Sequence, residues 1–184
     1  KSAILIGIIL VFTSAALATG PATIYKVRIN KFELFNGTSW VTVFEGTSSL
    51  LDIAAVSGGS SAGSFFSGIS VPDGTYTQCR VTPSPTFILS GNDGASYTTA
   101  AVGPASGSTP TVIAAQQAEC TITLTGANVP TAQIQDFSAT PITMKDGVAS
   151  HKVRVSFNVS NAIQLIAGAN ELYPAAPAVT MSIQ

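Results

Sequence analysis

Charge is what this chain has least of. Lys, Arg, Asp and Glu together make up 9% of its 184 residues, against roughly a quarter in an ordinary soluble domain. Net charge is −1 and no basic run occurs, so binding to nucleic acid has no electrostatic footing. Histidine is nearly absent: His151 is the only one, which leaves a hydroxyl nucleophile without a second imidazole to serve as base and excludes an H-E-x-x-H metal site. The nine carboxylates are scattered, and Asp93 within Gly91–Gly94 and Asp146 before Gly147 read as turn residues rather than Ca²⁺ ligands, since Ca²⁺ takes six to eight oxygens. No catalytic residue, metal site or cofactor is expected, and the chain reads as a non-enzyme.

Cysteine is scarce too. Cys79 and Cys120 each sit in an alternating segment (TYTQCRVT and ECTITLT) on the face that carries Val81 in one case and Ile122 and Leu124 in the other. In an oxidising compartment a disulfide between them is expected, closing a loop of about forty residues for on the order of 4 kcal/mol in the chain-entropy model. The alternative is two buried free thiols. A surface so poor in charge suits a secreted protein wetted by Ser, Thr and Gly.

What the chain does have is one long apolar run. From Ala3 to Ala18 (AILIGIILVFTSAALA) no residue is charged, and only Thr13 and Ser14 are polar. Three roles compete for it. A secretory signal would have Lys1 in front and Ala16-Leu17-Ala18 as its cleavage site. A membrane anchor would be short, about 24 Å of helix against a hydrocarbon core of about 30 Å. An assembly helix, apolar on every face, must be buried all round, and copies of itself can do that. The expected reading is the third: a retained helix over residues 1–20 whose core is Ile4, Leu5, Ile6, Ile8, Ile9, Leu10, Val11, Phe12 and Leu17, followed by a β domain over residues 21–184. An extended alternative stands beside it. Ile4, Ile6, Ile8, Ile9 and Val11 are β-branched and suit a strand added to a neighbour's sheet, whereas the length of the run and Ala15–Ala18 favour helix.

An apolar N-terminal helix ahead of a β-rich domain resembles type IV pilins and the related archaeal pilins. That resemblance, carried by residues 1 to about 24, implies a filament with the helices in its core and the globular domains outward. Bacterial members carry a Glu five residues into the helix, where this chain has Leu5; the archaeal form lacks that Glu.

Past Thr19-Gly20-Pro21 the chain becomes a series of short alternating segments. In TIYKVRINKFELF (23–35) Tyr25, Val27 and Ile29 share a face. The phase then slips at Asn30-Lys31, so that Phe32 and Leu34 take over, as at a β-bulge. Asn36-Gly37 predicts a hairpin turn into SWVTVFE. Pro72-Asp73-Gly74 predicts another turn. HKVRVSFNVS (151–160) is the clearest strand, with Val153, Val155, Phe157 and Val159 on its apolar side, and AVTMSIQ alternates at Val179, Met181 and Ile183. AIQLIAG (162–168) fits either a helical turn or a strand end. Nine to eleven strands and no second helix predict a mainly β chain, an antiparallel β-sandwich preceded by one helix.

The run Tyr25–Ile29, Phe32–Leu34, Trp40, Leu50–Asp52 and above all Val71-Pro72-Asp73-Gly74-Thr75-Tyr76-Thr77-Gln78 resembles an uncharacterised family of secreted prokaryotic β-sandwich domains. The resemblance covers residues 25–81 and implies an extracellular or cell-envelope domain with no known activity. Two N-x-[ST] triplets, at Asn36 and Asn158, are candidate glycan acceptors. The function expected from all this is that of a structural subunit of an extracellular, cell-surface filament, a homopolymer that meets the membrane only before assembly. A membrane-tethered binding module is the alternative.

Overall fold

The computed structural model describes residues 16–55, 70–92, 97–98, 111–112, 119–166, 171–175 and 177–184. The strands in chain order are β1 (Ala16–Gly20), β2 (Ala22–Val27), β3 (Ile29–Phe35), β4 (Trp40–Glu45), β5 (Leu51–Asp52), β6 (Gly74–Tyr76), β7 (Gln78–Pro83), β8 (Thr86–Gly91) and β9 (Tyr97–Thr98). They continue with β10 (Thr111–Val112), β11 (Cys120–Thr123), β12 (Gln133–Asp136), β13 (Ile142–Lys145), β14 (Val148–Ala149), β15 (Val153–Asn158), β16 (Ile163–Ile166), β17 (Glu171–Pro174) and β18 (Ala178–Ile183). Every pairing among them is antiparallel. The chain is therefore mainly β and sandwich-like, as its alternation predicted.

Two of the four-stranded sheets continue into each other. The orders β11-β8-β2-β5 and β12-β7-β3-β4 are joined because β2 runs into β3 and β7 into β8 with only Arg28 and Ser84-Pro85 between them. Regular pairing lapses at that corner, and its polar groups are satisfied in other ways. Ser84 N–H donates to Arg28 O at 2.9 Å, Ser48 N–H to Ile29 O at 3.0 Å, and Ile29 N–H to Ser48 Oγ at 2.7 Å. The bulge expected near Asn30 is present, since the register between β3 and β7 passes from Ile29↔Pro83 to Lys31↔Thr82. The β3–β4 turn also forms as expected. Asn36 Oδ1 accepts from the N–H groups of Thr38 and Ser39, and Gly37 takes φ +91°. At the β13–β14 turn, Asp146 and Gly147 both have positive φ (52° and 77°), as a two-residue hairpin with right-handed twist requires.

Each half of the bent sheet has its own core. Tyr25, Val27, Phe87, Leu89, Cys120, Ile122 and Leu124 pack with Ile53, Ala162 and Ile163, with Phe157 and Val159 at the margin. Beyond the corner, Leu34, Cys79, Phe137, Tyr76 and Ile142 form the second cluster, bordered by Phe32, Val41, Val43, Val71, Met144 and Ile183. The covering strands come from β14-β13-β6, β15-β18 and β1-β16-β17.

Two expectations change and one open choice is decided. Ala16–Gly20 is a strand paired with β16, Ala18 opposite Leu165 and Gly20 opposite Ile163, not the last turn of a helix. The helix preference of Ala and Leu amounts to tenths of a kcal/mol per residue, and an available ladder outweighs it. Leu17 thus belongs to β1, while Ile4, Leu5, Ile6, Ile8, Ile9, Leu10, Val11 and Phe12 lie outside the described residues. Ile163–Ile166, which fitted either a helical turn or a strand end, is strand. Finally, Cys79 and Cys120 are both free and buried, one in each core cluster, so the expected disulfide is not formed.

Candidate functional site: the N-terminal exit and the β15–β18 ribbon

The apolar N-terminal run meets the domain through β1. Going back from Gly20 to Ala16, β1 follows β16 from Ile163 to Ile166. On the other side of Gly20, Pro21 and Ala22 are pressed against Gly91. A Cβ at Gly91 would lie 2.4 Å from Pro21 O and 2.9 Å from Ile163 Cδ1. Only glycine fits, and the point where β1 turns into β2 is thereby held against β8.

Beside this exit lies the two-stranded ribbon β15–β18, in register from Val153↔Ile183 to Asn158↔Ala178. Lys152 and Gln184 exchange both backbone hydrogen bonds, at 2.8 Å each. In an antiparallel pair such bonded residues alternate with non-bonded ones. The N–H and C=O groups of Val153, Val155 and Phe157 on β15 therefore point away from β18, and those of Val179, Met181 and Ile183 point away from β15. Among the described residues none of these outward groups has a backbone partner; the next outward carbonyl along, Val159 O, accepts from Ala22 N–H at 3.1 Å. The side chains of Phe157 and Ile183 reach the two core clusters. Val155 lies between them on the same face, yet is 42% exposed. Sequence alternation placed Val155 in the core without distinction; its exposure goes with the lack of a second strand beside β15 among the described residues, which no local pattern reveals.

A second cluster, missed in the sequence, covers the outer face of β3 and β7. Glu33, only 4% exposed, accepts from Arg80 Nε at 2.6 Å and Arg80 Nη2 at 2.8 Å, and Lys31 Nζ lies 3.3 Å away. The guanidinium also stacks 4.4 Å over the Trp40 ring. The register Glu33↔Arg80 and Phe35↔Trp40 brings these side chains together, and the post-bulge phase at Glu33 was the signal that could have found them. Trp40 is thus half-buried beneath an arginine, not offered as an open stacking platform. The hydrogen bond from Arg80 holds the Glu33 carboxyl below its ordinary value, with Lys31 adding to the effect and burial opposing it. A carboxylate of lowered pKa stabilises the fold above about pH 4.3, the unfolded-chain value, and the contribution is lost as pH falls through the folded value. Glu33→Gln is therefore expected to lower thermal stability at pH 7 by about 1–3 kcal/mol, the range for a charged hydrogen bond. Paired melts of wild type and variant should converge as the buffer is taken well below about pH 4. A gap that stays constant with pH would show that charge is not the cause.

Burial pushes the thiol of Cys79 up to about 11 and that of Cys120 up to about 11. Thiolate is the reactive form. The folded protein is therefore expected to give no reaction with a thiol reagent near about pH 8, and two thiols once denatured. None after denaturation would mean the cysteines are bonded to each other. His151 is exposed, and its Nδ1 lies 2.8 Å from Ser150 Oγ, which also accepts from Thr143 N–H. No His/Cys/Asp/Glu group suited to a metal occurs among the described residues, nor does a helix long and apolar enough to cross a membrane. Both sequon asparagines are exposed: Asn36 in the β3–β4 turn and Asn158 at the end of β15, where its Oδ1 accepts from Ser160 N–H.

No protein-family model, curated protein or solved structure matches the chain.

Proposed function

We propose that this chain is the structural subunit of an extracellular helical filament in which the apolar run of residues 3–15 is buried by a neighbouring copy. The observation that carries the reading is the junction at Ala16. A thirteen-residue stretch with no charge (Ala3–Ala15) leads directly into an edge strand of the β domain, beside a ribbon whose edges have no strand partner among the described residues. Each large apolar side chain moved from water into such a contact contributes about 1.5–3 kcal/mol, and the run holds eight of them from Ile4 to Phe12. A segment that leaves one copy and enters the next makes a heterologous contact, which generates a fibre when the rotation does not close. Between stacked helices and an added strand, the strand is favoured, because the chain is already extended at Ala16–Gly20. Low charge and the exposed sequons at Asn36 and Asn158 suit a protein at the cell surface.

Negative-stain imaging of the full chain tests the reading. Fibres are expected. Discrete particles that need detergent to stay dispersed would overturn it and point to a membrane-tethered module.

A further inference from the structure

We propose that the open edge of β15, from Val153 to Phe157, is the acceptor that takes residues 3–15 of a second copy as an added strand. The inference rests on the filament reading and specifies where the neighbour binds.

The backbone of that edge is ready for a ladder. Val153, Val155 and Phe157 direct outward N–H and C=O groups that have no backbone partner among the described residues, and the same edge is already used at its far end, where Val159 O accepts from Ala22 N–H. An edge of this kind is a template for another strand unless it is blocked. Its inward row, Val155, Phe157 and Val159, carries no charge and no proline.

The inner face beside the edge is incomplete. Phe157 packs on one core cluster and Ile183 on the other, while Val155 between them is exposed. An added strand would lay its own inward row across this gap. When residues 3–15 are extended, the even positions Ile4, Ile6, Ile8, Leu10 and Phe12 form one unbroken row of large apolar side chains. The odd positions include the small Ala3 and Gly7. The even row fits the core side.

Length suits residues 3–15, and in a filament the segment comes from a second copy. At about 3.3 Å per residue, Ile4–Phe12 spans about 30 Å, more than the edge from Val153 to Phe157 requires.

Proline substitution separates the two edges of the ribbon in the full chain. Val155 N–H and Met181 N–H are both outward, so a proline at either position removes no bond of the β15–β18 ladder but prevents a strand from joining there. With Val155→Pro, fibres are expected to disappear while circular dichroism and thermal melting report a folded domain. With Met181→Pro, fibres are expected to persist. A second measurement does not depend on how well the proline is tolerated. Val155→Cys is combined with Ile4→Cys, Ile6→Cys, Ile8→Cys or Leu10→Cys in turn, and the assembled material is oxidised; the native thiols are buried. At least one pair is expected to give a ladder of dimers and larger species on a non-reducing gel. Fibres from a folded Val155→Pro chain, loss of fibres only with Met181→Pro, or cross-links in none of the four pairs would overturn the acceptor site while leaving the filament reading intact. A cross-linked monomer in place of a ladder would show that the run closes on its own domain. Absence of fibres from the wild-type chain would remove the filament reading and this inference together.

Discussion

The double substitution Ile8→Asp, Ile9→Asp is expected to abolish fibres completely and to leave the melting temperature of the β domain unchanged. The two positions are adjacent, so in an extended segment they put one carboxylate on each face. Neither face then enters a neighbour without burying an ion, which costs several kcal/mol when nothing pairs with it. In a helix the same two residues break an all-round apolar surface, so the substitution tests burial of the run whichever backbone it adopts. The domain is indifferent because both core clusters are built from residues at or beyond Ala22. Sedimentation followed by negative-stain imaging reads the outcome. A variant that still polymerises would show that fibres are held by some other surface.

Tyr25→Ala has the largest expected effect on the fold itself. Tyr25 is 2% exposed and joins three parts of the molecule. Its ring meets Phe87 edge-on at 5.9 Å, and its hydroxyl donates to Ala175 O at 3.0 Å across the core. Its backbone N–H donates to Asp52 Oδ1 at 3.0 Å. Removing so large a buried ring costs about 3–5 kcal/mol. Stranding the Ala175 carbonyl adds about 1–3 kcal/mol. In a domain of this size each kcal/mol lowers the melting temperature by about 2–4 °C, so a fall of roughly 10–30 °C is expected by calorimetry or circular dichroism. Tyr25→Phe keeps the ring and should lose only the hydroxyl's share. Equal melts for the two variants would place the whole effect on the hydrogen bond, and a fall of a degree or two for Tyr25→Ala would mean that this cluster does not hold the two layers together.

Features fixed by local stereochemistry were legible in the sequence. The phase slip at Asn30, the turns at Asn36-Gly37 and Asp146-Gly147 and the strands around Val155 and Met181 all follow from side-chain period or from φ, which neighbours in the chain determine. Features that depend on partners distant in sequence were not. Alternation correctly put Cys79 and Cys120 on apolar faces, but it carries no information on which core each face meets. Cys79 pairs across to Leu34 and Gln135 on one side of the Ser84-Pro85 corner, and Cys120 to Leu89 on the other. Ala16–Gly20 was misread for the same reason. Its composition favours helix weakly, and the strand that outweighs this preference lies at Ile163–Ile166. The exposure of Val155 and the ion pair over Trp40 likewise depend on which rows lie side by side.

The pairing of β1 with β16 also sets the order in which the molecule can be completed. Among the described residues the segment next to the apolar run has no strand partner until Ile163–Ile166, far along the sequence, has been synthesised. Contacts between residues so far apart form late and slowly. On the filament reading proposed above, the β15–β18 ribbon that would receive a neighbour's segment is completed later still, once Ala178–Ile183 has been made, so the run would exist well before the edge that accepts it.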